Sequence, residues 1–166
     1  MRSVFLSIPR QNGARSELRR RAREHENSEF DILILQAHGA TDGSACAGSG
    51  THVFLGLFRC SHFWFHACYC GKMLAPKLAE QGRIAFGFLT AIVTDYQGDR
   101  DQGLQVVLAY LDTVSTGVSP GSISDDIREL WKTKAIELLR SGDLLHAAML
   151  SQCRLNLRYF PNSTPA

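Results

Sequence analysis

Two side chains in this sequence have the chemistry of a nucleophile and its base. Cys68 follows the β-prone run SHFWFHA (61–67), and His38 follows a second such run, FDILILQA (30–37). In parallel sheets, ligands and reactive groups collect just beyond the carboxyl ends of strands. If the two strands are neighbours, an imidazole and a thiol share one rim. A nearby imidazole, or a helix beginning after the cysteine, favours the thiolate at neutral pH. The sequence suggests both for Cys68, with His38 beside it and a helix expected over 71–82. Gly39 and Gly71 are small enough to let backbone N–H groups approach a substrate carbonyl and hold a developing oxyanion.

Other readings of the same residues compete with this one. A lone cysteine is most often a packed, inert thiol. Cys60, His62, His66, Cys68 and Cys70 all have even numbers, so a regular strand would project them to one face as thiolate and imidazole ligands for zinc. Strand spacing spreads them over ~6–13 Å at ~3.3 Å per residue, too wide to converge on one ion. No metal site is expected, and no cofactor.

These elements must be positioned by a fold, and the pattern alternates strand with helix. SVFLSI (3–8) reads as a strand, 13–27 as an Arg-rich helix, 51–58 as a further strand and IAFGFLTAIV (84–93) as a buried strand. The 71–82 helix carries Pro76, expected to kink or shorten it, and is closed by Gly82. Helices are expected over 104–114, from Ser122 or Ser124 with Ile127, Leu130, Trp131, Leu138 and Leu139 on one face, and over 143–159. The expected class is α/β, a mainly parallel sheet with helices on both faces, in one domain spanning residues 1–166. Trp64, Phe63 and Phe65 are expected in its core.

A buried strand ending in His-Gly, followed by one ending in Ala-Cys, resembles the caspase–gingipain clan of cysteine peptidases. Ala67-Cys68-Tyr69-Cys70-Gly71 is similar to the Ala-Cys-Glu-Thr-Gly signature of its CHAT family, with Tyr69 and Cys70 in place of Glu and Thr. The likeness spans roughly residues 17–139. It implies a caspase-like fold, Cys68 as nucleophile, His38 as general base, and the backbone N–H groups of Gly39 and Cys68 as the oxyanion hole. It also implies cleavage of a protein or peptide substrate, often under the control of a regulatory or sensor protein. His66 and Asp95 are expected in the substrate pocket. The alternatives are a non-catalytic scaffold or interaction module of the same fold, and a nucleic-acid-binding domain using the Arg-rich helix.

Composition narrows the field. The net charge of +2 on 166 residues argues against strong nucleic-acid or membrane affinity of the whole chain. The charge is uneven, with seven Arg against two Glu in the first 25 residues. No apolar run approaches the ~20 residues that span a bilayer. Five cysteines, an odd number without an apparent export signal, suggest a reduced cytoplasmic setting.

Overall fold

β2 (Ile32–Ala37) is buried along its whole length, because each of its two faces meets a different apolar layer. Leu33, Leu35 and Ala37 point into one cluster, and Ile32 and Ile34 into the other. A strand covered on both faces must be apolar at successive positions, which is why this run shows no alternation. The computed structural model of the chain describes residues 1–8, 14–25, 28–44, 54–92, 101–115 and 117–162.

Five strands form one sheet in sequence order: β1 (Ser3–Ile8), β2, β3 (His62–His66), β4 (Ile84–Phe88) and β5 (Leu157–Phe160). The first four run parallel, and β5 pairs antiparallel with β4. Right-handed crossovers between sequentially ordered parallel strands place every connection on the same face. Accordingly α1 (Ala14–Glu24), residues 54–58 and α2 (Leu74–Glu80) share one core through Leu18, Ala22, Leu55, Phe58, Leu74 and Leu78. After β4 the chain crosses over. There α3 (Gln102–Thr113), α4 (Pro120–Arg140) and α5 (Leu144–Asn156) bury Leu104, Val107, Ile127, Trp131 and Leu150 against Trp64, Phe86 and Phe88. The structure is thus α/β, with a mostly parallel sheet and helices on both faces. Trp64, Phe63 and Phe65 lie in the core, as expected.

Several expectations are corrected. Of the strand expected over 51–58, residues 51–53 lie outside the described residues, 54 and 55 are helical and 56–58 turn, with Leu57 N–H donating to Phe54 O and Phe58 N–H to Leu55 O. The helix expected over 71–82 begins only at Leu74, so Pro76 falls in its first turn, where its missing N–H has no intrahelical partner to lose. It therefore shortens the helix without kinking it. The C-terminus is closed by Gly82 at φ 80°, with Gly82 N–H on Ala79 O and Arg83 N–H on Leu78 O, a left-handed cap that suits glycine.

Helix α4 starts earlier than Ser122, at Pro120, after the Ser119 hydroxyl caps the Ser122 N–H. Its buried stripe is Ile123, Ile127, Trp131 and Ala135, four apart, which leaves Leu130 and Leu139 exposed at 41% and 52%. The last helix stops at Asn156, short of the expected 159, and Leu157–Phe160 pairs with β4 as a strand. Backbone pairing along β4 outweighs the weak helical preference of Arg-Tyr-Phe.

Candidate functional site

Parallel pairing of β2 with β3 runs from Ile32↔His62 to Gln36↔His66, an offset of 30 residues. The pairing ends at that pair, and His38 and Cys68 each lie two residues past it, beyond the ends of their strands, with Cys68 already in a turn. The chain segments remain in contact there. A Cβ built on Gly39 would stand 1.7 Å from the Cys68 carbonyl oxygen and 3.1 Å from the Cys68 nitrogen, so only glycine fits.

The two turns continue side by side. Gly43, at φ 77°, packs on Tyr69 O and Lys72 Cβ, and its carbonyl accepts the Leu74 N–H at 3.0 Å. Lys72 Nζ donates to Thr41 O at 3.4 Å and stands 4.3 Å from the Tyr69 ring centroid.

Cys68 sits on a sharp bend. Tyr69, directly after it, has φ 58°, a left-handed conformation that a bulky side chain rarely adopts. Its amide donates to Thr90 O at 3.0 Å, which anchors the turn to the chain beyond β4. Such local strain persists only where the surroundings enforce it, and it concentrates at functional positions.

The Cys68 thiol is half-buried at the edge of the core formed with α3–α5, and His38 is exposed. The Cys68 Sγ donates to Ile92 O at 3.3 Å and accepts from Ile92 N at 3.4 Å.

The other expected contributors are distributed differently. Gly71 N–H is spent on Phe88 O at 2.9 Å, and a Cβ at Gly71 would meet Phe88 and Gly87 backbone near 3 Å. That glycine permits close packing on β4, and its amide is not directed at a substrate. Helix α2 begins six residues after Cys68 and has only seven residues, so the sulfur does not stand at a helix N-terminus. His66 is fully buried, with Nε2 3.0 Å from Asp101 Oδ2, behind the rim and not in a pocket open to solvent. Asp95 lies outside the described residues, as does Cys46.

The even-numbered cysteines and histidines separate as the strand ends. Cys60 and Cys70 enter the core beneath α1 and α2, whereas His66 and Cys68 face the opposite layer. Among the described residues no group of three or more His, Cys, Asp or Glu side chains is placed to hold a metal.

The Arg-rich helix α1 is partly neutralised by itself. Arg20 pairs with Glu17 and Glu24, and Arg21 Nε donates to Glu17 at 3.0 Å. These hydrogen bonds from Arg20 and Arg21 hold the Glu17 carboxyl down to about 2. No helix among the described residues is long and apolar enough to cross a membrane.

Two residues of the site region had weaker signals in sequence. Gln36 is the one polar side chain within the apolar run ILILQA, and it is fully buried. Asp101 precedes helix α3 as its N-cap and is 2% exposed, sharing its carboxylate among several donors. A polar residue interrupting a buried strand is the signal that could have found Gln36. For Asp101 the sequence offers only a capping position.

The described thiols differ enough to be told apart in solution. Burial pushes Cys60 up to about 12. Burial also pushes Cys153 up to about 12, with Asp101 and the Cys68 sulfur adding to it. Both stay protonated near neutrality, and protonated thiols alkylate slowly. Iodoacetamide added to the native protein is expected to modify Cys68 well before Cys60, Cys70 or Cys153, as followed by mass spectrometry of the peptides. Equal modification of all four would refute this ordering.

No protein-family model matches the chain, and neither a curated protein nor a solved structure does.

Proposed function

We propose that the rim formed by the ends of β2 and β3 is the active edge of a caspase-like cysteine endopeptidase. Cys68 is the nucleophile and His38 the base. The observation that carries this reading is the parallel pairing of β2 with β3, whose ends precede His38 and Cys68, with Gly39 pressed on the Cys68 backbone.

In the reaction, His38 takes the Cys68 proton and the sulfur attacks the scissile carbonyl. The oxyanion is held by the Gly39 and Cys68 N–H groups. The C–N bond breaks as His38 returns the proton to the leaving amine, leaving a thioester. Water, deprotonated by His38, then hydrolyses the thioester and frees the thiol. The sulfur must turn away from the Ile92 carbonyl before attack, and substrate binding or a regulatory protein would supply that change. The substrate is a protein or peptide, and no cofactor takes part.

One observation favours a second reading. A thiol that bonds both the carbonyl and the amide of Ile92 is making the contacts of a structural cysteine, as in a non-catalytic module of the same fold.

A quenched fluorescent peptide library, incubated with the full chain, separates the two. Cleavage that falls at least about 1,000-fold in Cys68→Ala and in His38→Ala supports the peptidase. Cleavage that survives Cys68→Ala, or Cys68 alkylation whose pH profile is unaltered by His38→Ala, defeats it.

A further inference from the structure

We propose that Asp101 is a positioning residue that clamps the two strand ends, acting through Gln36 and His66 to set His38 and Cys68 against each other. The inference rests on the peptidase reading of that rim and assigns the part behind it.

One carboxylate oxygen, Asp101 Oδ2, accepts from Gln36 Nε2 at 3.3 Å and lies 3.0 Å from His66 Nε2. Gln36 stands two residues before His38, and His66 two residues before Cys68. The two partners are themselves opposite each other in the β2–β3 register. A strand advances ~3.3 Å per residue and repeats its face every second residue. The oxygen therefore ties together one facing pair of the two strands, each member two residues before a reactive side chain.

The other oxygen, Oδ1, accepts the Leu104 N–H at 2.9 Å and so fixes the first turn of α3 to the same point. On the far side of Gln36, the Ser7 hydroxyl donates to Oε1 at 3.0 Å. The chain of bonds spans β1, β2, β3 and α3. Because the carboxylate only accepts, His66 Nε2 is the donor in this contact. His66 Nδ1 is buried with no hydrogen-bond partner among the described residues. Phe88 packs edge-on against the ring at 5.7 Å and closes that side.

Capping α3 accounts for one oxygen of this carboxylate, but not for its ties to both strands. Desolvating a carboxylate costs several kcal/mol, and a packed apolar group of similar volume commonly does as well or better. A charge held by donors from three elements gives directional fixing, and fixing is what a nucleophile and base on different strands require. A misplacement of 1 Å costs on the order of 100-fold in rate.

Alkylation of Cys68 by iodoacetamide in the full chain, followed across the neutral pH range, tests the clamp without needing a substrate. Gln36→Met keeps the volume and the Asp101–His66 contact but removes the tie to β2. Asp101→Asn keeps a capping oxygen for α3 and removes the charge. The expected result is that both variants slow Cys68 alkylation at neutral pH by about tenfold. Both should also move its pH profile toward that of His38→Ala, with the cooperative thermal transition retained. If Asp101→Asn does not fold, Gln36→Met decides alone.

A wild-type profile that differs from His38→Ala, together with a folded Gln36→Met that matches wild type, overturns the clamp and leaves the dyad standing. A wild-type profile identical to His38→Ala overturns the dyad and the clamp with it.

Discussion

Gly39→Ala is expected to cost about 3 kcal/mol or more and to uncouple Cys68 from His38, the more so because the clash is with atoms that cannot rotate away. The new methyl group would meet the Cys68 carbonyl oxygen at 1.7 Å and its carbon at 2.8 Å, both backbone. Relief requires the chain past β2 to move off the chain past β3. In urea denaturation the variant should unfold at a clearly lower midpoint, and its Cys68 alkylation should follow the His38→Ala profile. Gly121→Ala provides the contrast. It lies in the first turn of α4, where a Cβ would meet the Tyr159 ring at 3.9 Å and the Ser119 hydroxyl at 4.0 Å, both ordinary contacts. Alanine there should be neutral or stabilise by up to ~1 kcal/mol through helix propensity. A Gly39→Ala protein as stable as wild type would mean that the two strand ends are not in the contact described.

Trp131→Ala is expected to have an effect of the same order on stability, about 3–5 kcal/mol. The indole is fully buried, with its Nε1 donating to Gly103 O at 2.9 Å. Its ring stands 6.1 Å from both Trp64 and Phe88, so it joins α4 to β3, β4 and the start of α3 at once. Truncation leaves a large cavity and a buried carbonyl without its donor. For a chain of this length the melting temperature should drop by roughly 10 °C. Trp131→Phe keeps most of the packing and loses the hydrogen bond, so it should cost only about 1–3 kcal/mol. Calorimetry of the pair checks this. A loss below 1 kcal/mol for Trp131→Ala would show that the α4 layer does not seal the sheet as described.

The two substitutions probe features of unequal visibility in the sequence. The core strands were readable because Ile32–Ala37 and His62–His66 are apolar or aromatic at every position but Gln36, and only a sheet covered on both faces buries such runs. Their punctuation was also readable, as Gly82 closing α2 illustrates. Element ends were less so. Whether Leu157–Phe160 continues a helix or starts a strand depends on an unpaired β4 edge beside it, which local composition does not record. Leu130 and Leu139 are exposed for a related reason. The helix alone does not say which arc of its surface meets Trp64, and that arc is centred on Trp131.

By itself the sequence determined the alternation of strand and helix, the apolar centre of the sheet, and the placing of His38 and Cys68 at strand ends. Those follow from local periodicity and composition, which every segment carries with it. Tertiary structure alone decided that β2 and β3 are neighbours offset by 30 residues, that Gly39 lies on the Cys68 backbone, and that Asp101 reaches both Gln36 and His66. These are contacts between residues far apart in the chain, created when the sheet buries its two faces. No window of sequence contains both partners, so pairing, register and the bonds behind the rim come into being only with the fold.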